Sequence, residues 1–131
     1  MQRTLVLIKP DAFRRKLVSK VIGRIEDKGI EMANVKYWYP VPRNRIEKHY
    51  DKDTQKPYFS EYCDFMCSGP VISIIYEGKN VIDIIRSLQG NWQIPGTIRG
   101  DYVTNNDENL IHASDSQASS DKEIKIWFGN V

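Results

Sequence analysis

His112 is the residue of this chain best suited to attack another molecule. It follows the apolar pair Leu110-Ile111 and precedes the small polar run Ala113-Ser114-Asp115-Ser116. A lone histidine is usually structural. A neutral imidazole, however, keeps a lone pair near pH 7 and can act as a nucleophile if a partner holds its other nitrogen. If the group it attacks is a phosphate, cations must offset that charge and the substrate must have room. Glu123 lies far enough along the helix expected after His112 to fold back toward the ring. Lys9, Arg86 and Arg99 bring positive charge from three distant stretches. Taken singly, each has an ordinary reading. Arg86 and Lys9 read as solvated surface charges, Arg99 as a turn partner of Asp101, and Glu123 as a helix-face charge near Lys122 or Lys125.

These side chains must be positioned by elements whose pattern is readable. Thr4 to Ile8 is apolar and β-branched, a first strand stopped by Lys9-Pro10-Asp11 because proline has no N–H for a ladder. Leu17, Val18, Val21, Ile22 and Ile25 recur at helical spacing, with Gly29 as a C-cap. Glu31 to Tyr39 is an aromatic-rich second strand ended by Pro40 and Pro42. A short polar helix runs to about Tyr50, and another spans Tyr58 to Met66. Val71 to Tyr76 is a buried third strand. Val81, Ile82, Ile84, Ile85 and Leu88 mark a helix ending at Gly90. Asn91 to Asp101, with Pro95, Gly96 and Gly100, reads as loop. Leu110 to Ala113 is a short last strand, and Ser116 to Ile126 a polar helix. Two strand–helix–strand units of this kind predict a ferredoxin-like, four-stranded antiparallel sheet with helices on one face. Such a fold hosts many functions, so function rests on the site.

Composition narrows the choice. At 131 residues the chain fits one domain, residues 1–131. With 40% apolar and 27% charged residues it reads as a globular protein rather than a disordered one. No apolar run approaches the roughly 18 residues of a membrane span. The apolar stretch after Thr4 is too short for a secretory signal, so a cytoplasmic location is expected. A net charge of +2 gives no case for bulk attraction to nucleic acid or membrane, so any phosphate site must come from a few placed cations. Cys63 and Cys67, four apart on one expected helix, read as reduced thiols, since that spacing suits a disulfide poorly.

Several separate motifs now fall together. Asn109-Leu110-Ile111-His112-Ala113-Ser114-Asp115-Ser116 closely resembles the active-site signature of nucleoside diphosphate kinases. So do Thr4-Leu5-Val6-Leu7-Ile8-Lys9-Pro10-Asp11, Ser68-Gly69-Pro70-Val71 and Pro95-Gly96-Thr97-Ile98-Arg99-Gly100-Asp101, while Glu123-Ile124 with Trp127-Phe128 matches the closing helix. The resemblance runs in register from about residue 3 to residue 128. It implies a ping-pong reaction in which His112 takes the γ-phosphoryl group of a nucleoside triphosphate such as ATP and passes it to a diphosphate. By the same resemblance, Lys9 approaches the transferring phosphate, Arg86 and Arg99 hold the phosphate chain, Asn109 bonds the sugar, and Tyr58 stacks on the base. Tyr50 matches a tyrosine near the histidine, and Glu123, with Ser114, orients the imidazole. Magnesium (Mg2+) is expected to arrive on the nucleotide phosphates, with no metal site in the protein, and the family implies a homo-oligomer, most often a hexamer.

The chain also departs from the family pattern. The stretch between Gly90 and Pro95 is shorter than usual, and Trp92 falls near a position where a threonine normally touches phosphate. Tyr62 and Asp107 stand where an apolar residue and a glycine are usual, near the expected base pocket. The C-terminal extension of eukaryotic members is missing, since the sequence stops at Val131. Short loop and short tail resemble the forms carried by large DNA viruses, for which the host cytoplasm would be the location. The shortened loop is expected to open the sugar side and favour deoxynucleotides. The competing reading is a nucleic-acid-binding module, because RNA readers use the same sheet. Tyr37, Trp38 and Tyr39 lie on the second strand, but without the glycine context of such readers, and neighbouring residues there point to opposite faces.

Overall fold

The computed structural model describes residues 1–131. Its strands are β1 (Gln2–Ile8), β2 (Glu31–Trp38), β3 (Val71–Gly78) and β4 (Ile111–Ala113), in one sheet of order β2-β3-β1-β4 with every pair antiparallel. Its helices are α1 (Pro10–Arg14), α2 (Val18–Glu26), α3 (Arg43–His49), α4 (Phe59–Met66), α5 (Val81–Gln89), α6 (Ile98–Tyr102) and α7 (Gln117–Phe128). The ferredoxin-like four-stranded sheet expected from the sequence is present.

Helices cover both faces of the sheet, not one. The β1–β3 register sets Leu5 opposite Ile75 and Val6 opposite Ile74. Val6, Ile8, Ile74 and Tyr76 pack with Val21 and Ile25 of α2 and Ile82 and Ile85 of α5. Leu5, Leu7, Val71 and Ile75 pack on the other face with Ile46 of α3, Phe59, Cys63 and Met66 of α4, and Ile124 and Trp127 of α7. β1 runs in the middle of the sheet, and its residues Leu5 to Ile8 are all fully buried. An unbroken apolar run of this kind marks a strand buried on both sides. The central strands are thus covered on both sides and offer no open face for bases, while β2, at the edge, stays largely exposed. Trp38 packs edge-on against Trp127 at 5.6 Å and donates its indole N–H to Ser73, while the neighbouring Tyr37 meets Phe13. The nucleic-acid reading therefore has no platform here.

Two helices lie where none was expected. Pro10 ends β1 and also starts α1, where its missing N–H costs nothing. Thr97 caps α6 by accepting the N–H of Gly100 at 2.9 Å, which turns part of the expected loop into helix. Gly100 is required there, because a Cβ would meet the carbonyl oxygen of Ile94. β3 runs past Tyr76 to Gly78, and α7, capped by Ser116, runs past Ile126 to Phe128.

Candidate active site

Site geometry starts from the shortness of β4. Leu110, just before it, has φ +71, a left-handed conformation that disfavours side chains with a Cβ. Asp11 holds it in place: the Leu110 N–H donates to Asp11 Oδ2 at 3.0 Å, and the Lys9 N–H donates to the Leu110 carbonyl at 2.9 Å. Burial pushes the Asp11 carboxyl up, an upward shift that the Leu110 N–H only partly offsets. In β4, Ile111 and Ala113 point into the α2/α5 side, so period two sends His112 to the other side, opposite Leu7.

There the His112 ring meets α7. Its Nε2 lies 2.9 Å from Glu123 Oε1, and the Ser114 hydroxyl donates to the same oxygen at 2.7 Å. A carboxylate only accepts, so Nε2 carries the ring proton and Nδ1 keeps its lone pair. The His112 side chain is 18% exposed, so the ring is held by the protein yet open to a substrate. The kink at Leu110 and the N-cap of α7 at Ser116 together bring Glu123 back onto the strand.

Three cations, drawn from separate parts of the chain, bond to residues that flank His112. Lys9 is nearly buried; its Nζ donates to Asn109 Oδ1 at 2.8 Å and lies 5.2 Å over the Tyr62 ring. Arg99, on α6, donates to the carbonyls of Asn109 (3.3 Å) and Ile111 (2.6 Å). Arg86, on α5, donates to the carbonyl of Ala113 at 3.1 Å. The two guanidiniums thus grip the backbone on either side of His112. Burial, and then the charge of Arg86, lower the pKa of Arg99. None of the three cations lies within ion-pairing distance of a carboxylate. Asp101, the turn partner that Arg99 could have taken, pairs instead with Arg24 at 2.8 Å. Clustered, unpaired cations beside an open nucleophile form a receptor for a polyanion.

The remaining expected residues fall around this centre. The Tyr50 hydroxyl is 2.9 Å from that of Tyr62 rather than bonded to His112, and its ring centroid lies 6.4 Å from the imidazole. Burial and the neighbouring Tyr62 push the Tyr50 phenol well above its usual range. Tyr58 is 55% exposed, on the wall of a 580 Å³ groove shared with Tyr62, Phe65, Asn106 and Asp107. The same groove reaches Glu108, next in the chain to the Asn109 that Lys9 holds. Trp92, in the turn before α6, is 38% exposed.

The profile of the family described as nucleoside diphosphate kinase matches residues 2–131. The nucleoside diphosphate kinase of Acanthamoeba polyphaga mimivirus is 58% identical over 98% of this chain and 93% of its own length. This chain belongs to the nucleoside diphosphate kinase family. The likeness extends well beyond viruses: the enzyme of Archaeoglobus fulgidus is 42% identical, over 99% of this chain and 88% of its own. Among solved structures, the apo nucleoside diphosphate kinase of Encephalitozoon cuniculi superposes with a TM-score of 0.94 at 40% identity, covering 99% of this chain and 90% of that one. That of Halobacterium salinarum, solved in complex with CDP, gives 0.92 at 35% identity, covering 98% and 88%. The mimivirus relative agrees with the resemblance to viral members seen in the sequence.

Three residues of the site went unnoticed as such in the sequence. Asp11 closes the motif that ends β1, and it also fixes the turn that feeds β4. His49 lies 4.6 Å from the His112 ring, centroid to centroid, and Trp127 donates to it at 2.8 Å. The available signal was positional: His49 adjoins Tyr50, and Trp127 sits one helical turn after Glu123, on the same face of α7. No helix of the protein is long and apolar enough to cross a membrane.

Proposed function

We propose that the chain acts as a single unit that moves a phosphoryl group between nucleotides through a phosphohistidine at His112. The supporting observation is the commitment of the His112 Nε2–H to Glu123, which leaves Nδ1 free beside three unpaired cations. Nδ1 attacks the γ-phosphorus of a nucleoside triphosphate such as ATP; the N–P bond forms as the bond to the bridging oxygen breaks, and the diphosphate leaves with that electron pair. A second nucleoside diphosphate then takes the group by the reverse step. Glu123, aided by Ser114, fixes the tautomer and balances the positive character the ring gains. Lys9 approaches the transferring phosphate, while Arg86 and Arg99 bind the chain of phosphates with their guanidinium forks. Asn109 bonds the sugar, and Tyr58 stacks on the base, an interaction every base can make. Tyr50, through Tyr62, shapes the wall between phosphates and base.

Phosphoryl transfer of this kind uses a divalent metal. We assign it to magnesium that enters with the nucleotide phosphates. The one cluster of potential metal ligands is His49, His112 and Glu123, which leaves no cage of oxygen ligands beside the cations. β2, at the edge of the sheet, exposes Met32, Val35 and Tyr37, with Tyr39 just beyond it. An apolar edge of this kind suits pairing with a second copy, which supports a homo-oligomer, and we favour the hexamer; light scattering would test it. We place the enzyme in the cytoplasm, where nucleotide pools are held.

Incubation with γ-labelled ATP and magnesium, followed by removal of nucleotide, tests the reading. Acid-labile, base-stable label on the protein is expected, and none on His112→Ala. Label retained by that variant would overturn the assignment.

A further inference from the structure

His49 is a buried titratable group that the transfer step itself does not use. It closes α3, and its side chain is 1% exposed. Nδ1 accepts the indole N–H of Trp127 at 2.8 Å. An indole nitrogen only donates, so Nδ1 carries a lone pair and the proton of the neutral ring sits on Nε2. That Nε2 has no hydrogen-bond partner. It lies 3.9 Å from Glu123 Oε2, the oxygen that Ser114 and His112 leave free. The separation is too long for a hydrogen bond. In a buried site, though, an N–H dipole beside a carboxylate still favours the charged form of the acid.

The same three groups also resemble a zinc site, since ligand atoms of His49, His112 and Glu123 lie within 4.8 Å of one another. Proton placement argues against it. A metal ligand needs a lone pair on the coordinating nitrogen, and Trp127 and Glu123 each force the proton onto the inward Nε2 of their own histidine. Burial holds the His49 pKa well below the usual histidine range, and the charges of His112, Lys9 and Lys122 act in the same direction. Tyr50, whose ring lies 4.4 Å away, and Glu123 are the other titratable groups packed on it.

We propose that His49, its tautomer set by Trp127, is a positioning residue for the transfer: its neutral Nε2–H faces the free oxygen of Glu123 and keeps that carboxylate turned toward His112. The proposal rests on His112 being the phosphate carrier. As the N–P bond forms, the His112 ring becomes more positive, and an anionic Glu123 must offset that charge. A protonated His49 would instead set a second positive charge beside it, with ring centroids 4.6 Å apart.

The test uses the full chain with ATP and magnesium, in single turnover, between about pH 5 and pH 9, a range spanning histidine titration. His49→Leu should phosphorylate about ten-fold or more slowly, as loss of an outer partner of a reacting group does. Its KM for nucleotide should stay within about two-fold. Its acidic limb should move, because the carboxylate that holds His112 loses a buried N–H dipole facing it. His49→Gln, whose amide N–H can reach the place of Nε2, should recover most of the rate and the original limb. A wild-type rate and limb in His49→Leu would overturn the proposal, and so would equal losses in both variants or a matching rise in KM. Should His49→Leu fail to fold, Trp127→Phe decides: the same displaced limb is expected, and an unchanged one overturns the proposal. Label retained on His112→Ala would remove the carrier itself, a result read without any His49 variant.

Discussion

The imidazole of His112 and the carboxylate of Glu123 meet across the β4–α7 turn, with Nε2 2.9 Å from Oε1. One contact thereby decides which ring nitrogen is free and sets a carboxylate against the ring. Ser114 shares the same carboxylate oxygen, so the carboxylate is held from two sides. Glu123→Ala should lower the rate of phosphorylation by ATP about a hundred-fold or more, the scale of a lost acid–base partner. Glu123→Gln should lose less, because its carbonyl can still accept the Nε2–H. Rapid-quench measurement of phosphoenzyme formation separates the two.

Arg86 and Arg99 bind backbone carbonyls on both sides of the histidine while leaving N–H donors for phosphate. Lysine cannot do both, since it lacks the planar fork. Arg99→Lys is therefore expected to reduce kcat/KM by about ten- to a hundred-fold, as loss of charge-assisted hydrogen bonds does. Steady-state kinetics with ATP and dTDP would read this. A lysine variant as active as the wild type would show that charge alone suffices.

Asp11 holds Leu110 in its left-handed turn from the far end of the chain. Asp11→Ala should cost about 1–3 kcal/mol in stability, because a buried N–H loses its acceptor. It should slow phosphorylation as well, by loosening the strand that carries His112. Asp11→Asn keeps an acceptor and should retain most of both. Urea unfolding alongside the phosphorylation rate checks whether the two losses travel together.

A buried neutral histidine makes stability depend on pH, with a definite sign. The folded-state pKa of His49 lies below its ordinary value of 6.5. The unfolded chain therefore binds the proton first as pH falls. The contribution is fully present above about pH 6.5 and is lost as pH drops from there toward the lowered folded-state pKa. His49→Gln should flatten this part of the stability profile, and chemical denaturation at a series of pH values would show it. An equal slope in both proteins would assign the pH dependence to other groups.

Nucleotide preference follows from the short turn before α6 and from the residues of the base groove. The short turn is expected to open the sugar side, so deoxynucleotides should be used more efficiently than ribonucleotides. Comparison of kcat/KM for ADP, dADP and dTDP tests this, and equal values for all three count against it. Tyr58→Ala should weaken all bases alike, by about ten- to a hundred-fold in kcat/KM, the worth of one stacked base.

Much of the site was legible because its residues carry chemistry in type and order. Lys9, Arg86, Arg99, Asn109, His112, Ser114 and Glu123 stand out in the sequence, and the fold links them by hydrogen bonds to β4 and its flanks. Some features were not legible, for physical reasons. Leu5 to Ile8 carries the mark of a strand covered on both faces, but no local pattern says which helices cover each face. Pro10 reads as a stop signal, although the same residue suits the first turn of a helix. Thr97 caps α6 inside a stretch whose glycines and proline suggest only loop. The roles of Asp11, His49 and Trp127 depend on contacts across the chain, such as Asp11 with Leu110 and His49 with Trp127, which local patterns do not record.

The central claim concerns a single nitrogen. Phosphorus and nitrogen NMR of the isotopically labelled phosphoenzyme, formed with ATP and kept at alkaline pH, can assign which atom of His112 bears the phosphate. The account predicts a bond to Nδ1, with Nε2 still protonated against Glu123. Phosphate on Nε2, or on a residue other than His112, would contradict it.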